Sequence, residues 1–213
     1  MYLDRNITRY FCDVCTKFPA VLITGPRQSG KSTFLQHVMK NTAYVTFDDP
    51  LNREFAIHDP NGCLDQFNKA PVILDEIQYI PEILQYIKIR IDKNRTPGTW
   101  IMTGSQQFHL MKNISETLAG RIAIFELAPF SFSEIKDTLS VSLEDMIWTG
   151  LFPEPACYSE KRDVWLRSYL QTYIERDVRQ LEAIKNFRAF ELIVKLSAAY
   201  HSQEFHAADL ARE

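Results

Sequence analysis

Nowhere in the sequence do apolar residues run on for the about eighteen positions that a membrane-spanning helix needs. The first residues, MYLDRNITRYFCDVC, scatter charges where a secretory leader would carry an apolar core and a small-residue cleavage site. No membrane association and a cytoplasmic location are therefore expected. Positive charge is also short. Lys and Arg number 24 against 27 Asp and Glu, a net charge of -3, which excludes a basic coat over the whole surface and leaves only a local patch open for nucleic acid. Cysteine is sparse, with four residues, of which Cys12 and Cys15 form a C-x-x-C pair. Zinc would need a second close pair of ligands, and a thiol redox motif would follow a strand, whereas this pair precedes the first strong one. Reduced structural thiols are the expectation. Internal repeats, low-complexity segments and the N-K-x-D signature of guanine specificity are all missing.

What is present reads as an ordinary globular chain. With 213 residues, 46% hydrophobic and 24% charged, there is enough for one full core and a smaller appendage. Short apolar runs recur at AVLIT (20–24), YVTF (44–47), VILD (72–75), WIMTG (100–104) and IAIFEL (122–127), with helical stretches between them. In PEILQYIKIRIDKN, for instance, Ile83, Leu84, Ile87 and Ile91 fall at helical spacing behind Pro81. Strand and helix alternate to about residue 138, which predicts an α/β domain with a five-stranded parallel sheet between helices. Beyond GLFPEP (150–155) the periodicity is purely helical, with Val164, Trp165, Tyr169, Tyr173 and Ile174 at threes and fours. The expected division is a domain over 1–140 and a helical segment over 141–213, the change of character falling between 140 and 160. The closing EFHAADLARE resembles the start of a helix-turn-helix whose recognition helix is missing, so a truncated chain is expected.

The stretch GPRQSGKSTF (25–34) fits G-x-x-x-x-G-K-[ST] and stands between a strand and a helix, where backbone N–H groups converge on an anion. Glycine allows close approach of the backbone to phosphates, Lys31 can reach the β- and γ-phosphates, and the Ser32 hydroxyl can ligate Mg²⁺. The expected nucleotide-binding set is Gly25, Arg27, Gln28, Ser29, Gly30, Lys31, Ser32 and Thr33. VILDEIQ supplies an apolar strand closing on Asp75, placed to hold the metal with Ser32, and Glu76, placed to polarise an attacking water. Because YVTF lies between these two motifs along the chain, an extra strand is expected to separate them in the sheet, which disfavours small-molecule kinases. WIMTG ends in Thr103, Gly104 and Ser105 at the carboxyl edge, where a hydroxyl can position water or sense the γ-phosphate. Arg121, just before the fifth strand, is a candidate positive charge for the phosphoryl transition state, as a sensor or supplied to a neighbouring copy.

Taken together, GPRQSGKS, LDEIQ, TGSQQF, SETLAGRIAIFEL and YLQTYIERDVRQL resemble the prokaryotic AAA-type P-loop ATPases in which a winged-helix segment and a nuclease-like domain of unclear function follow. The resemblance runs nearly end to end. It implies Walker-type roles for Lys31, Ser32, Asp75 and Glu76, a sensor role for Ser105, and adenine selectivity. It departs from the family where TGLFPEP stands in place of two glycines before Tyr-Pro-Glu, and the nuclease-like part is missing. The function expected is a Mg²⁺-dependent ATPase that couples nucleotide state to its C-terminal helical segment. The alternative is a nucleotide-dependent regulatory or DNA-binding switch with little turnover. ATP and Mg²⁺ are the expected ligands, and a second copy of the chain, DNA or a protein met through the C-terminal segment are the expected partners.

Overall fold

The computed structural model describes residues 2–67, 71–105, 114, 116–139, 141–173, 186–200 and 208. Five parallel strands, β1 (Ala20–Thr24), β2 (Ala43–Thr46), β3 (Val72–Asp75), β4 (Trp100–Thr103) and β5 (Ile122–Glu126), form one sheet in the order β2-β3-β4-β1-β5. Strands β1, β3 and β4 are buried at every position, which is why they read as unbroken apolar runs and not as alternating ones.

The pleat divides those runs between two cores. Ala20, Leu22, Val72, Leu74, Trp100 and Met102 face one side, in a core that also takes Ala56 of α3 (Pro50–His58), Cys63 and Leu64 of α4 (Pro60–Asp65), and Ile83, Leu84, Ile87 and Ile91 of α5 (Ile83–Lys93). Val21, Ile23, Ile73 and Ile101 face the other, covered by Phe11 of α1 (Thr8–Cys15) and by Phe34 and Leu35 of α2 (Lys31–Val38). Both faces of the sheet thus hold helices, and the carboxyl ends of all the strands are left to form a rim.

One strand does separate β1 from β3, but it is β4; the YVTF run is the outer strand β2. Order along the chain is not order in the sheet. The consequence is that the carboxyl end of β4, at Thr103, and not that of β2, lies between the ends of β1 and β3 in the sheet.

The chain forms two compact units, Met1–Ser159 and Glu160–Glu213. Packing explains why the first unit continues past 140. Met146 of α7 (Leu143–Thr149) and Cys157 of α8 (Pro153–Cys157) join a small core with Leu3, Phe130 and Ile135 of α6 (Phe132–Leu139), so this stretch belongs with the sheet domain. In the second unit the described helices are α9 (Arg162–Tyr173) and α10 (Phe187–Ala199), and on α9 Trp165 stacks on Tyr169 and Tyr169 on Tyr173. The helix-turn-helix start expected over 204–213 lies outside the described residues except for position 208. Among the described residues no helix is long and apolar enough to cross a membrane. Cys12 and Cys15 are free thiols; burial, with Cys12 alongside, pushes the Cys15 thiol up to about 12.

Candidate functional site

The loop between β1 and α2 requires its glycines at two points. Gly25 has φ of 143°, and a Cβ there would meet the carbonyl oxygen of Leu127 at 2.3 Å. Gly30 precedes the first turn of α2 in a left-handed conformation, φ 90°, turning the chain so that Lys31 starts the helix. Inside this turn Lys31 is only 5% exposed, and its ammonium donates to the carbonyls of Gly25 at 3.2 Å and Pro26 at 2.9 Å. The backbone curls round the charge. Gln28 is exposed with φ of 61°, Ser29 is fully buried, Arg27 is half-buried and Thr33 is exposed.

The acidic strand end meets this loop directly. Asp75, 4% exposed, accepts from the Ser32 hydroxyl at 2.8 Å, from the Tyr44 phenol at 2.6 Å and from the Thr103 hydroxyl. Burial, with Asp75 alongside, pushes the Tyr44 phenol up, so it stays a proton donor to the carboxylate. Ser32, Asp75 and Thr103 present hard oxygen atoms, the donor type that Mg²⁺ takes. Sequence reading paired Ser32 with Asp75 but missed Tyr44, since a tyrosine in an outer strand carries no spacing that points to a carboxylate in the next one.

Glu76 leaves β3 in a left-handed conformation, φ 60° and ψ 47°, uncommon for a residue with a Cβ. Its backbone N–H donates to the Thr103 hydroxyl at 3.1 Å, and its carboxylate accepts from the Gln78 side-chain amide. Gln78 was overlooked although it stands in the same short motif. Ser105 is 5% exposed, and its hydroxyl, like those of Thr24 and Ser29, is buried without a hydrogen-bond partner among the described residues. These three hydroxyls lie at the carboxyl ends of β1 and β4 and in the loop between β1 and α2.

The loop is braced from behind by Arg5, a residue with no sequence signal at all. Its guanidinium, 5% exposed, pairs with Glu134 at 3.1 Å, donates to the Ser29 carbonyl at 3.1 Å and the Ala128 carbonyl at 2.6 Å, and lies over the Phe130 ring. Beside it a cavity of about 240 Å³ opens next to Gly30, Thr33 and Phe34, with Tyr2, Leu3 and Phe130 on the other walls. Tyr2 stacks on His37 of α2 with 3.6 Å between ring centres.

Arg121 is not brought to this site. It stands at the amino-terminal end of β5, five residues before the rim, and forms a double contact with Asp92 at 2.6 and 3.1 Å. Asp92 is held below the usual carboxylate range, chiefly by that hydrogen bond. The sequence shows no acidic neighbour for Arg121 because its partner is 29 residues away on α5. A sensor role on its own chain's phosphate site is thereby corrected, and a catalytic role would require a neighbouring copy.

Residues 17–136 match the family described as an AAA domain, and residues 140–213 match one described only as a domain of unknown function. An uncharacterised protein of Mycobacterium tuberculosis is 32% identical over 199 residues, covering 91% of this chain and 44% of its own length. Another from Methanocaldococcus jannaschii is 26% identical over 200 residues, covering 81% of this chain and 44% of its own length. The chain thus spans less than half the length of these relatives. In fold it is similar to a Walker-type ATPase of Pyrococcus abyssi, with TM-score 0.52 and 13% identity over 99% of this chain and 87% of that one. It is also similar to the ORC2 protein of Aeropyrum pernix in its ADP form, with TM-score 0.50 and 14% identity over 96% and 75% of the two chains.

Proposed function

The chain belongs to the AAA domain family, which is of the AAA-type P-loop ATPases, and from that premise we propose that it binds ATP with Mg²⁺ and hydrolyses it to ADP and phosphate. The observation that carries this reading is the Ser32 hydroxyl 2.8 Å from the buried Asp75 carboxylate, one residue after Lys31, whose ammonium is held by the carbonyls of Gly25 and Pro26. Lys31 would neutralise charge on the β- and γ-phosphates, and Ser32 and Asp75 would hold the cation. Once bound there, the cation would supply further charge neutralisation at the phosphates. Glu76 orients the attacking water and accepts its proton, and the orphaned Ser105 hydroxyl donates to the γ-phosphate. The phosphorus–oxygen bond to the leaving ADP breaks as the water oxygen bonds to the γ-phosphorus.

The cavity walled by Tyr2, Phe34 and Phe130, with Arg5 and Glu154 also lining it, lies next to the start of α2, and its aromatic side chains offer a surface for the adenine base. In this reading the hydrolytic cycle is coupled to the helices beyond residue 160, which meet DNA or a protein partner, and the active form is a cytoplasmic homo-oligomer in which Arg121 serves a neighbour. Steady-state phosphate release with ATP and Mg²⁺ tests the core of the proposal. Turnover abolished by both Lys31→Ala and Glu76→Gln supports an ATPase. ATP binding without turnover in the unaltered protein would replace it with a nucleotide-dependent switch.

A further inference from the structure

We propose that Gln78 is a positioning residue for hydrolysis, its carboxamide fixing the Glu76 carboxylate to the main chain of Ser105. The proposal rests on the reading of Glu76 as general base. One end of the Gln78 side chain, Nε2, donates to Glu76 Oε2; the other, Oε1, accepts from the Ser105 backbone N–H at 3.3 Å. Both functions of a single amide are thus used, one on the base and one on the strand exit that carries the γ-phosphate contact.

The platform under this bridge is packed into the core. Gln78 sits in a single 3-10 turn, Ile77–Tyr79, anchored by Ile77 and Ile80, which are 0% and 2% exposed. The Glu76 main chain, in its left-handed conformation, is held by Thr103 at 3.1 Å. Its backbone and its carboxylate are therefore both secured to the end of β4, by Thr103 and through Gln78 respectively. A free glutamate side chain at a strand end samples several rotamers, and a general base works only within hydrogen-bond reach of its water. Removing the bridge should leave nucleotide binding intact and scatter the base.

The chemistry of the residue makes the test specific. Asn is one methylene too short to span the two contacts. Glu keeps an acceptor for Ser105 but offers a second carboxylate to Glu76 in place of a donor. Gln78→Ala and Gln78→Glu are each expected to lower kcat for ATP hydrolysis by about 10- to 100-fold, the range typical of supporting residues, with KM within about twofold and an unchanged Tm. Gln78→Asn should not rescue. Turnover at or above the unaltered rate in Gln78→Ala overturns the proposal. So does a loss of kcat matched by a loss of nucleotide affinity or a fall in Tm, which would mark Gln78 as merely structural. Glu76→Gln, measured alongside, separates the two failures. If it keeps the full rate, or if the unaltered protein does not turn over, the reading of the base falls and this proposal with it; if it is inactive while Gln78→Ala keeps the unaltered rate, only the bridge is wrong.

Discussion

Ser32 and Asp75 stand 43 positions apart in the sequence and share a hydrogen bond of 2.8 Å where helix α2 meets the end of β3. With Tyr44 and Thr103 also donating, the carboxylate is satisfied by three hydroxyls. Its loss leaves three donors without an acceptor in a site only 4% exposed. At about 1–3 kcal/mol for each unsatisfied buried group, partly relieved by water, Asp75→Ala should destabilise by about 2–5 kcal/mol in denaturant unfolding. Asp75→Asn keeps the volume and should instead abolish the rise in Tm that Mg²⁺ adds on top of ATP. An undiminished Mg²⁺ increment would show that Asp75 holds only the hydroxyls.

Lys31 gives a different balance. It is a phosphate-binding charge by sequence, yet it is buried and donates to two carbonyls of its own loop. Lys31→Ala should therefore cost about 1–3 kcal/mol of stability as those carbonyls lose a charged donor, besides weakening ATP binding by at least about 100-fold. Calorimetric titration with ATP and thermal unfolding without it read the two effects separately. Unchanged affinity would remove the phosphate assignment.

The Arg5 brace predicts a pH dependence. Burial pushes the Glu134 carboxyl up, but the N–H groups of Ser131 and Asn6, together with Arg5, outweigh it and hold the pKa below the ordinary value. A depressed folded-state pKa contributes stability above the unfolded pKa, about 4.3, and loses it as pH falls through the folded value. The Tm difference between the unaltered protein and Glu134→Gln should be widest near neutrality and close as the pH drops below about 4. Arg5→Ala leaves a buried carboxylate unpaired and should cost about 3–5 kcal/mol. Its release of the Ser29 carbonyl should also weaken ATP binding, since the brace shapes the phosphate loop from outside.

The strands and the P-loop were legible because their signals are local. A strand buried on both faces is an unbroken apolar run, and the loop's glycines, lysine and serine fall within eight residues. The order of the strands was not, since pairing depends on crossovers that leave no mark on any one segment. Arg5, Tyr44 and Gln78 escaped for a related reason. Arg5 reaches Glu134 across 129 positions, Tyr44 reaches Asp75 across 31, and Gln78 spans to Ser105 across 27, separations at which no pattern links donor to acceptor. The reverse held for Arg121, whose apparent freedom in the sequence disappears once α5 brings Asp92 beside it.

Arg121 therefore poses the last test. The strands are parallel, so the phosphate loop lies at their carboxyl rim and Arg121 at the opposite end of β5, five residues away at about 3.3 Å each. No side-chain rotation brings it to its own site. A head-to-tail association of copies, in contrast, sets one chain's amino end against the next chain's carboxyl rim, and an arginine supplied that way can raise phosphoryl transfer by about 10³ to 10⁵. In such an assembly Arg121→Ala should lower kcat far more than it changes ATP affinity, and the specific rate should rise with protein concentration. Mixing gives the decisive measurement. A Glu76→Gln copy, inactive itself, still carries Arg121 and should restore part of the turnover to Arg121→Ala copies. Asp92→Asn should leave the fold intact and raise the rate at low concentration, because the arginine no longer has to leave a carboxylate to reach a phosphate. If Arg121→Ala turns over at the unaltered rate and mixing changes nothing, the Arg121–Asp92 pair is a surface tie between β5 and α5, and each copy hydrolyses with its own residues alone.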